Sequence, residues 1–211
     1  VSRSIALALA LIGLGGTAAG AMDLTIKSSL SETVETNSNY FLSQGGKPIV
    51  RPQTAVTFDA LGQLPTTTYD FSGDFAYFNY LGPGAENLAD TDGYQGGGRF
   101  RFESLGKTKS DKANFTTSWR TSDVVSTQLA DTGIATRGGQ FTTTTVGGGF
   151  IRQLGLRDTI SWNATSSFYE FSSGTSPYTN LYNVATWDHR VSPIANFITL
   201  ADYSWIWRQD L

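Results

Sequence analysis

Apolar and polar residues alternate with a period of two through most of this chain. The stretch 69–77 is the clearest example, with aromatic side chains at alternate positions and acidic or hydroxyl side chains between them (Tyr69, Phe71, Phe75 and Tyr77 against Asp70, Ser72 and Asp74). Successive side chains of a β-strand point to opposite faces, so this period predicts strands with one apolar and one polar face. An apolar face of this kind either packs into a soluble core or turns toward lipid.

About nine such segments follow one another, and no apolar period of 3.6 residues lasts longer than a turn or two. They cover approximately 24–42, 54–61, 69–77, 94–103, 112–120, 139–153, 158–171, 178–190 and 195–208. The pattern predicts an all-β protein, an antiparallel up-and-down meander of about nine strands that forms part or all of a transmembrane β-barrel.

The connections between these segments alternate in length. Long connections at 43–53, 81–93 and 122–138 alternate with short ones at 62–65, 106–110, 154–157 and 191–194, and 172–177 is intermediate. Outer-membrane barrels keep tight turns on the periplasmic side and longer loops outside. A Greek-key sandwich has no physical reason to collect its long loops at one end, so the alternation favours a barrel.

The N-terminus has the features of a secretory signal peptide. Arg3 supplies a positive charge, residues 5–16 form an apolar stretch, and Ala19-Gly20-Ala21 is a small-residue cleavage site. The apolar stretch is shorter than the roughly 20 residues that a membrane-spanning helix needs. Residues 1–21 are therefore predicted to be a signal peptide and residues 22–211 the exported barrel, located in the bacterial outer membrane.

Composition removes several classes of function. A net charge of -3 gives no reason to expect nucleic acid as a partner, and the absence of cysteine removes disulfides and thiolate chemistry. His189 is the single histidine, and the acidic residues in 86–92 form only a piece of a calcium loop. The sequence therefore predicts no catalytic residues, no metal site and no cofactor. Glycine clusters at 96–98 and 147–149 predict a bulge, a bend or a close approach by a neighbour.

Polar-parity charges are the main functional candidates. Acidic and basic side chains on neighbouring strands are expected to face each other inside the lumen (Asp70, Asp74, Arg99, Arg101, Glu103, Lys112 and Arg120). Two roles are open, charge compensation in a polar interior and a transverse field that sorts polar solutes. Aromatic residues near the strand ends are candidates for interfacial girdles (Tyr40, Tyr77, Tyr80, Trp119, Trp205 and Trp207).

With its signal sequence, alternating strands and alternating loops, the chain resembles bacterial outer-membrane β-barrels of the porin-like type, including those found with exopolysaccharide export systems. The resemblance implies outer-membrane lipid and the barrel assembly machinery as partners, with a polar solute or polysaccharide as cargo. Two features depart from it: nine strands is an odd number, and the chain ends Arg208-Gln209-Asp210-Leu211 rather than on an aromatic residue. An N-terminal fragment of a larger barrel is therefore expected.

A secreted or periplasmic all-β carbohydrate-binding module is the alternative interpretation. In that protein the apolar faces would pack into a sandwich, and Trp119, Trp162 or Trp187 would serve as sugar-stacking platforms. Dependence on detergent separates the two interpretations, because a sandwich dissolves in water and a barrel does not.

Overall fold

The computed structural model describes residues 22–37, 47–87, 92–106, 110–123, 139–172 and 176–208. These residues form nine strands and one turn of 3₁₀ helix at Ala85–Asn87. The strands are β1 (Asp23–Asn37), β2 (Ile49–Leu64), β3 (Thr67–Asn79), β4 (Asp92–Leu105), β5 (Lys112–Asp123), β6 (Gln140–Gln153), β7 (Asp158–Phe171), β8 (Tyr178–Ser192) and β9 (Ala195–Arg208). The predicted signal peptide 1–21 and Tyr40 lie outside the described residues.

All nine strands belong to one sheet, in which each strand pairs antiparallel with its neighbours in the chain. The predicted up-and-down meander is therefore confirmed. β1 and β9 occupy the two edges, and within the described ranges no ladder joins them. Closure into a barrel thus stays a prediction.

The ladders keep one register across the sheet, with a single irregularity between Arg190 and Ser192. Paired residues point to the same face, so the register sorts every strand into two faces. We call "apolar face" the one that contains the row Ile26, Ala60, Phe71, Phe100, Thr117, Val146, Ser166, Leu181 and Trp205. We call "polar face" the opposite one, with the row Lys27, Asp59, Ser72, Arg99, Ser118, Thr145, Ser167, Asn180 and Ile206.

The long connections all leave one end of the sheet, which we call the long-loop end. They comprise 38–48, 80–91 and 124–139, together with the intermediate connection 172–177, and the opposite, short-turn end carries 65–66, 106–111, 154–157 and 193–194. The predicted alternation of connections therefore holds, although the boundaries of the first two strands differ. β2 begins at Ile49, before the predicted start at 54. Pro52 suggested a loop there, but a proline removes only one N–H donor and the 16-residue strand continues through it.

The most buried side chains are few and lie near the long-loop end, in β2, β3, β5 and the connection after β3 (Ile49, Arg51, Ala76, Phe78, Tyr80, Ala85, Thr121 and Asp123). Ile49, Arg51 and Phe78 lie on the polar face by register. The chain after Leu81 turns back over the start of β2, since the N–H of Gly84 donates to the carbonyl of Pro48 over 3.2 Å. This folded connection covers Ile49, since a Cβ on Gly84 would lie 2.6 Å from Cγ1 of Ile49.

The described residues contain no helix that is long and apolar enough to cross a membrane.

Candidate functional site

The polar face brings predicted acidic and basic residues of β3, β4 and β5 into ion pairs. Arg99 Nη2 lies 3.6 Å from Asp70 Oδ2, and Arg120 Nη1 donates to Asp74 Oδ1 over 3.3 Å. The second pair joins strands that are not neighbours, since β4 lies between them. Both pairs are partly exposed, so each contributes at most about 1 kcal/mol to stability. Their main effect is to place positive and negative charges at fixed positions on the polar face.

Gly97 explains how the Asp74–Arg120 pair crosses β4. By register Gly97 lies between Asp74 and Arg120 on the polar face, where any side chain would stand in the path of the pair. Its neighbours are also close, because a Cβ on Gly97 would meet the carbonyl oxygen of Trp119 at 2.5 Å. The ladders around the clusters 96–98 and 147–149 show no register shift, so there is no bulge at either cluster. Close approach by a neighbouring strand accounts for Gly96, Gly97 and Gly149, whereas Gly98 has room for a Cβ.

The other predicted lumen residues also lie on the polar face, at positions nearer the short-turn end. Arg101 is opposite Asp70, Glu103 is opposite Asn114, and Lys112 is opposite Leu105. All seven candidates thus share one face of three adjacent strands. Their assignment to the lumen of a channel stays a prediction.

A chain of contacts begins on the polar face at the long-loop end and reaches Asp123, the last residue of β5, which the register places on the apolar face. Arg51 Nη1 donates to Glu35 Oε2 over 3.2 Å, and the Arg51 guanidinium carbon lies 4.2 Å from the centre of the Phe78 ring. Phe78 meets Tyr80 edge to face at 5.4 Å, and the Tyr80 hydroxyl donates to Asp123 Oδ2 over 2.9 Å. Side chains from β1, β2, β3 and β5 are linked in this way.

The sequence pattern did not single out Arg51 and Phe78. Arg51 falls in the predicted loop 43–53, whose prolines and glycines conceal the start of β2. Extending the alternation of 54–61 backward would have placed Arg51 on the polar face, in line with Thr57 and Asp59. Phe78 breaks the alternation, because Tyr77 beside it is also aromatic.

Four girdle candidates lie on the apolar face and are exposed there: Tyr77, Trp119, Trp205 and Trp207. The Tyr77 hydroxyl donates toward Asp92 Oδ2 at 3.1 Å, at the long-loop end. Tyr80 differs, because its side chain is only 4% exposed and is packed against Phe78. Its position therefore does not meet the expectation of an exposed girdle residue.

His189 takes part in a polar cluster at the short-turn end of the apolar face. Asp158 Oδ1 lies 2.8 Å from His189 Nδ1 and accepts a hydrogen bond from Trp187 Nε1 over 3.0 Å. The Trp187 ring also contacts the rings of His189 and Phe197, at 5.8 and 6.1 Å between centroids. An aromatic cluster with its polar atoms bonded at a strand end is the arrangement found at membrane–water interfaces.

Among the described residues, no three histidine, cysteine, aspartate or glutamate side chains converge to hold a metal ion. Comparison with protein-family models, with curated proteins and with solved structures found no match.

Proposed function

We propose that this chain is an integral β-barrel protein of the bacterial outer membrane, porin-like, which passes polar solutes or assists polysaccharide export. The proposal assigns it no catalytic role. Its natural partners are outer-membrane lipid on the apolar face, the barrel assembly machinery during insertion, and a polar cargo on the polar face.

The observation that carries the proposal is an apolar face left uncovered over all nine strands. Phe75, Trp119 and Trp205 are 52%, 47% and 59% exposed, although they lie on three different strands. A water-soluble sheet buries such a face against a second layer. The described residues supply a single sheet, and exposed apolar patches of this extent mark a surface that contacts lipid or protein.

The opposite face supports the same proposal. It carries the ion pairs Asp70–Arg99 and Asp74–Arg120 together with rows of hydroxyl and amide side chains. A polar interior next to a lipid-facing apolar band is the arrangement of outer-membrane barrels. Backbone groups in lipid must all be hydrogen-bonded, so the proposal requires partner strands for the outer edges of β1 and β9.

Tryptophan fluorescence offers a direct test, because all five tryptophans lie on the apolar face (Trp119, Trp162, Trp187, Trp205 and Trp207). The chain is reconstituted into vesicles whose lipids carry bromine on their acyl chains, which quenches tryptophan on contact. We expect variants that retain only Trp119 or only Trp162, with the other four replaced by Phe, to be strongly quenched.

The matched control moves the reporter to the polar face. It replaces all five tryptophans by Phe and introduces Thr165→Trp, one residue from the apolar-face position Ala164. We expect this variant to be quenched by aqueous iodide instead of by the brominated lipid. Equal responses at positions 119, 162 and 165, or recovery of the chain as a detergent-independent soluble protein, would overturn the proposal in favour of the secreted binding module.

A further inference from the structure

Four aromatic side chains form a slab on the polar face at the long-loop end. They are Phe141 of β6, Tyr169 and Phe171 of β7, and Tyr178 of β8, and the register puts all four on the same side of the sheet. Ring centroids are 4.9 Å apart for Phe141 and Phe171, and 4.4 Å apart for Tyr169 and Tyr178. We call these four residues the aromatic slab.

The rings of the slab pack against one another and remain accessible. Four pairs of its rings are in contact, with interplanar angles between 15° and 33°. Each residue is half-buried, so part of the slab faces the space above the polar face. Rings held in this way lose little conformational freedom on binding, which favours affinity.

The wall that continues from the slab toward the short-turn end is uncharged. Polar-face positions of β6 and β7 carry only hydroxyl, amide, glycine and apolar residues below the slab (Thr143, Thr145, Gly147, Gly149 and Ile151, with Thr159, Ser161, Asn163, Thr165 and Ser167). Thr145 and Ser167 share a hydrogen bond of 3.1 Å across the two strands. The ion pairs of the polar face belong to β1–β5 instead. On β5, beside this wall, Arg120 is opposite Thr143 and paired with Asp74, and Lys112 is opposite Ile151 at the short-turn end.

This combination selects one class of ligand. A sugar ring in a pyranose chain presents a C–H face that packs on aromatic carbon and hydroxyl groups that exchange hydrogen bonds with Thr, Ser and Asn. A polyanion would find no cation on the polar-face positions of this wall, and a fatty chain would leave the hydroxyl wall unsatisfied. We infer that the aromatic slab and the uncharged wall of β6 and β7 form a binding track for a neutral polysaccharide.

The inference rests on the proposed function for how a polysaccharide reaches the polar face, but binding itself can be measured without a channel. The full chain in detergent micelles is titrated with cellohexaose, a neutral linear hexasaccharide, and with hexagalacturonate, an anionic chain of equal length. Saturation-transfer NMR and calorimetry report the affinity. We expect cellohexaose to bind more tightly than hexagalacturonate.

Variants assign the binding to the slab. We expect Tyr169→Ala and Tyr178→Ala each to weaken cellohexaose binding roughly tenfold, the loss typical of an aromatic anchor, and Tyr169→Phe to retain most of it because the ring persists. Tyr69→Ala is the matched control, since Tyr69 is also a tyrosine in contact with another ring but lies on the apolar face against Phe102. We expect it to leave binding unchanged.

The inference is overturned if cellohexaose does not bind, if hexagalacturonate binds as tightly, or if Tyr69→Ala weakens binding as much as Tyr169→Ala. Circular dichroism of each variant identifies any loss caused by unfolding. If the alanine variants unfold, the comparison of cellohexaose with hexagalacturonate on the parent chain still decides the test. Lipid quenching without sugar binding would overturn the polysaccharide track and leave the outer-membrane proposal intact. Sugar binding at the slab without lipid quenching would support the polysaccharide track and overturn the outer-membrane proposal.

Discussion

The guanidinium of Arg51 lies over the ring of Phe78, with 4.2 Å between the guanidinium carbon and the ring centre. Arg51 is 7% exposed and Phe78 is 1% exposed, so this contact is shielded from water at the long-loop end of the polar face. Arg51 Nη1 reaches Glu35, but Nε and Nη2 are buried without a hydrogen-bond partner among the described residues. The site therefore combines a favourable stacking contact with two unsatisfied donors.

Replacement of Arg51 by methionine and by alanine should separate these contributions. Loss of the stacking contact costs about 2 kcal/mol, and each unsatisfied buried donor already costs about 1–3 kcal/mol. A methionine side chain would fill most of the space without those donors, so we expect Arg51→Met to keep or raise the free energy of unfolding. Arg51→Ala leaves a cavity beside Phe78 and should lower it by about 2 kcal/mol or more.

The measurement is urea unfolding in detergent followed by circular dichroism. Arg101→Met is the control, because Arg101 is an exposed arginine on the same face. If Arg51→Met proved as unstable as Arg51→Ala, the charge of Arg51, and not its volume, would hold this part of the protein together.

Gly97 and Gly98 are adjacent in β4 but should differ sharply in their tolerance of a methyl group. A Cβ on Gly97 would lie 2.5 Å from the backbone oxygen of Trp119, whereas on Gly98 its nearest neighbour, the oxygen of Ser72, is 3.8 Å away. We expect Gly97→Ala to lower the free energy of unfolding by about 1–3 kcal/mol, because the backbone of β5 must move.

Gly98→Ala should be neutral or slightly stabilising, because glycine weakens a strand interior and there is room for the methyl group. The two variants are compared in the same urea titration. Equal stability of the two would show that β4 and β5 are further apart at Gly97 than the structure has them.

The Asp74–Arg120 pair should determine how the proposed channel treats ions. Asp74→Asn leaves the Arg120 charge unbalanced and should shift permeability toward anions, and Arg120→Gln should shift it toward cations. Reversal potentials in planar bilayers under a potassium chloride gradient measure both shifts. The double variant removes both charges, so we expect its selectivity to return close to that of the parent protein.

Asp59 provides the comparison for this test, because it is an acidic polar-face residue on β2 outside the ion pairs described above. Asp59→Asn should also shift permeability toward anions, and its shift should add to that of Arg120→Gln as for independent sites, because Asp59 is outside the Asp74–Arg120 pair. Shifts of the same sign in Asp74→Asn and Arg120→Gln would contradict a field that depends on this pair.

The sequence predicted the strand order and most of the polar face because both depend on local rules. A period of two fixes which residues share a face, and short turns such as Pro65-Thr66 leave the chain no alternative to a hairpin. Asp70, Asp74, Arg99 and Arg120 could therefore be assigned to one face without coordinates. Prediction was weaker at strand ends, where the prolines of residues 48–52 suggested a loop in place of the start of β2.

Other features depend on distances between strands that no local pattern encodes. The sequence alone determined the nine-stranded meander, its apolar and polar faces and the alternation of long and short connections, because each follows from residue types a few positions apart. Only the tertiary structure decided that Asp74 reaches Arg120 across Gly97, that Arg51 and Phe78 are buried together, and that four aromatic rings of β6, β7 and β8 form one slab. These contacts join strands through the register of the whole sheet, and a shift of one residue in one ladder would have placed the same side chains on opposite faces.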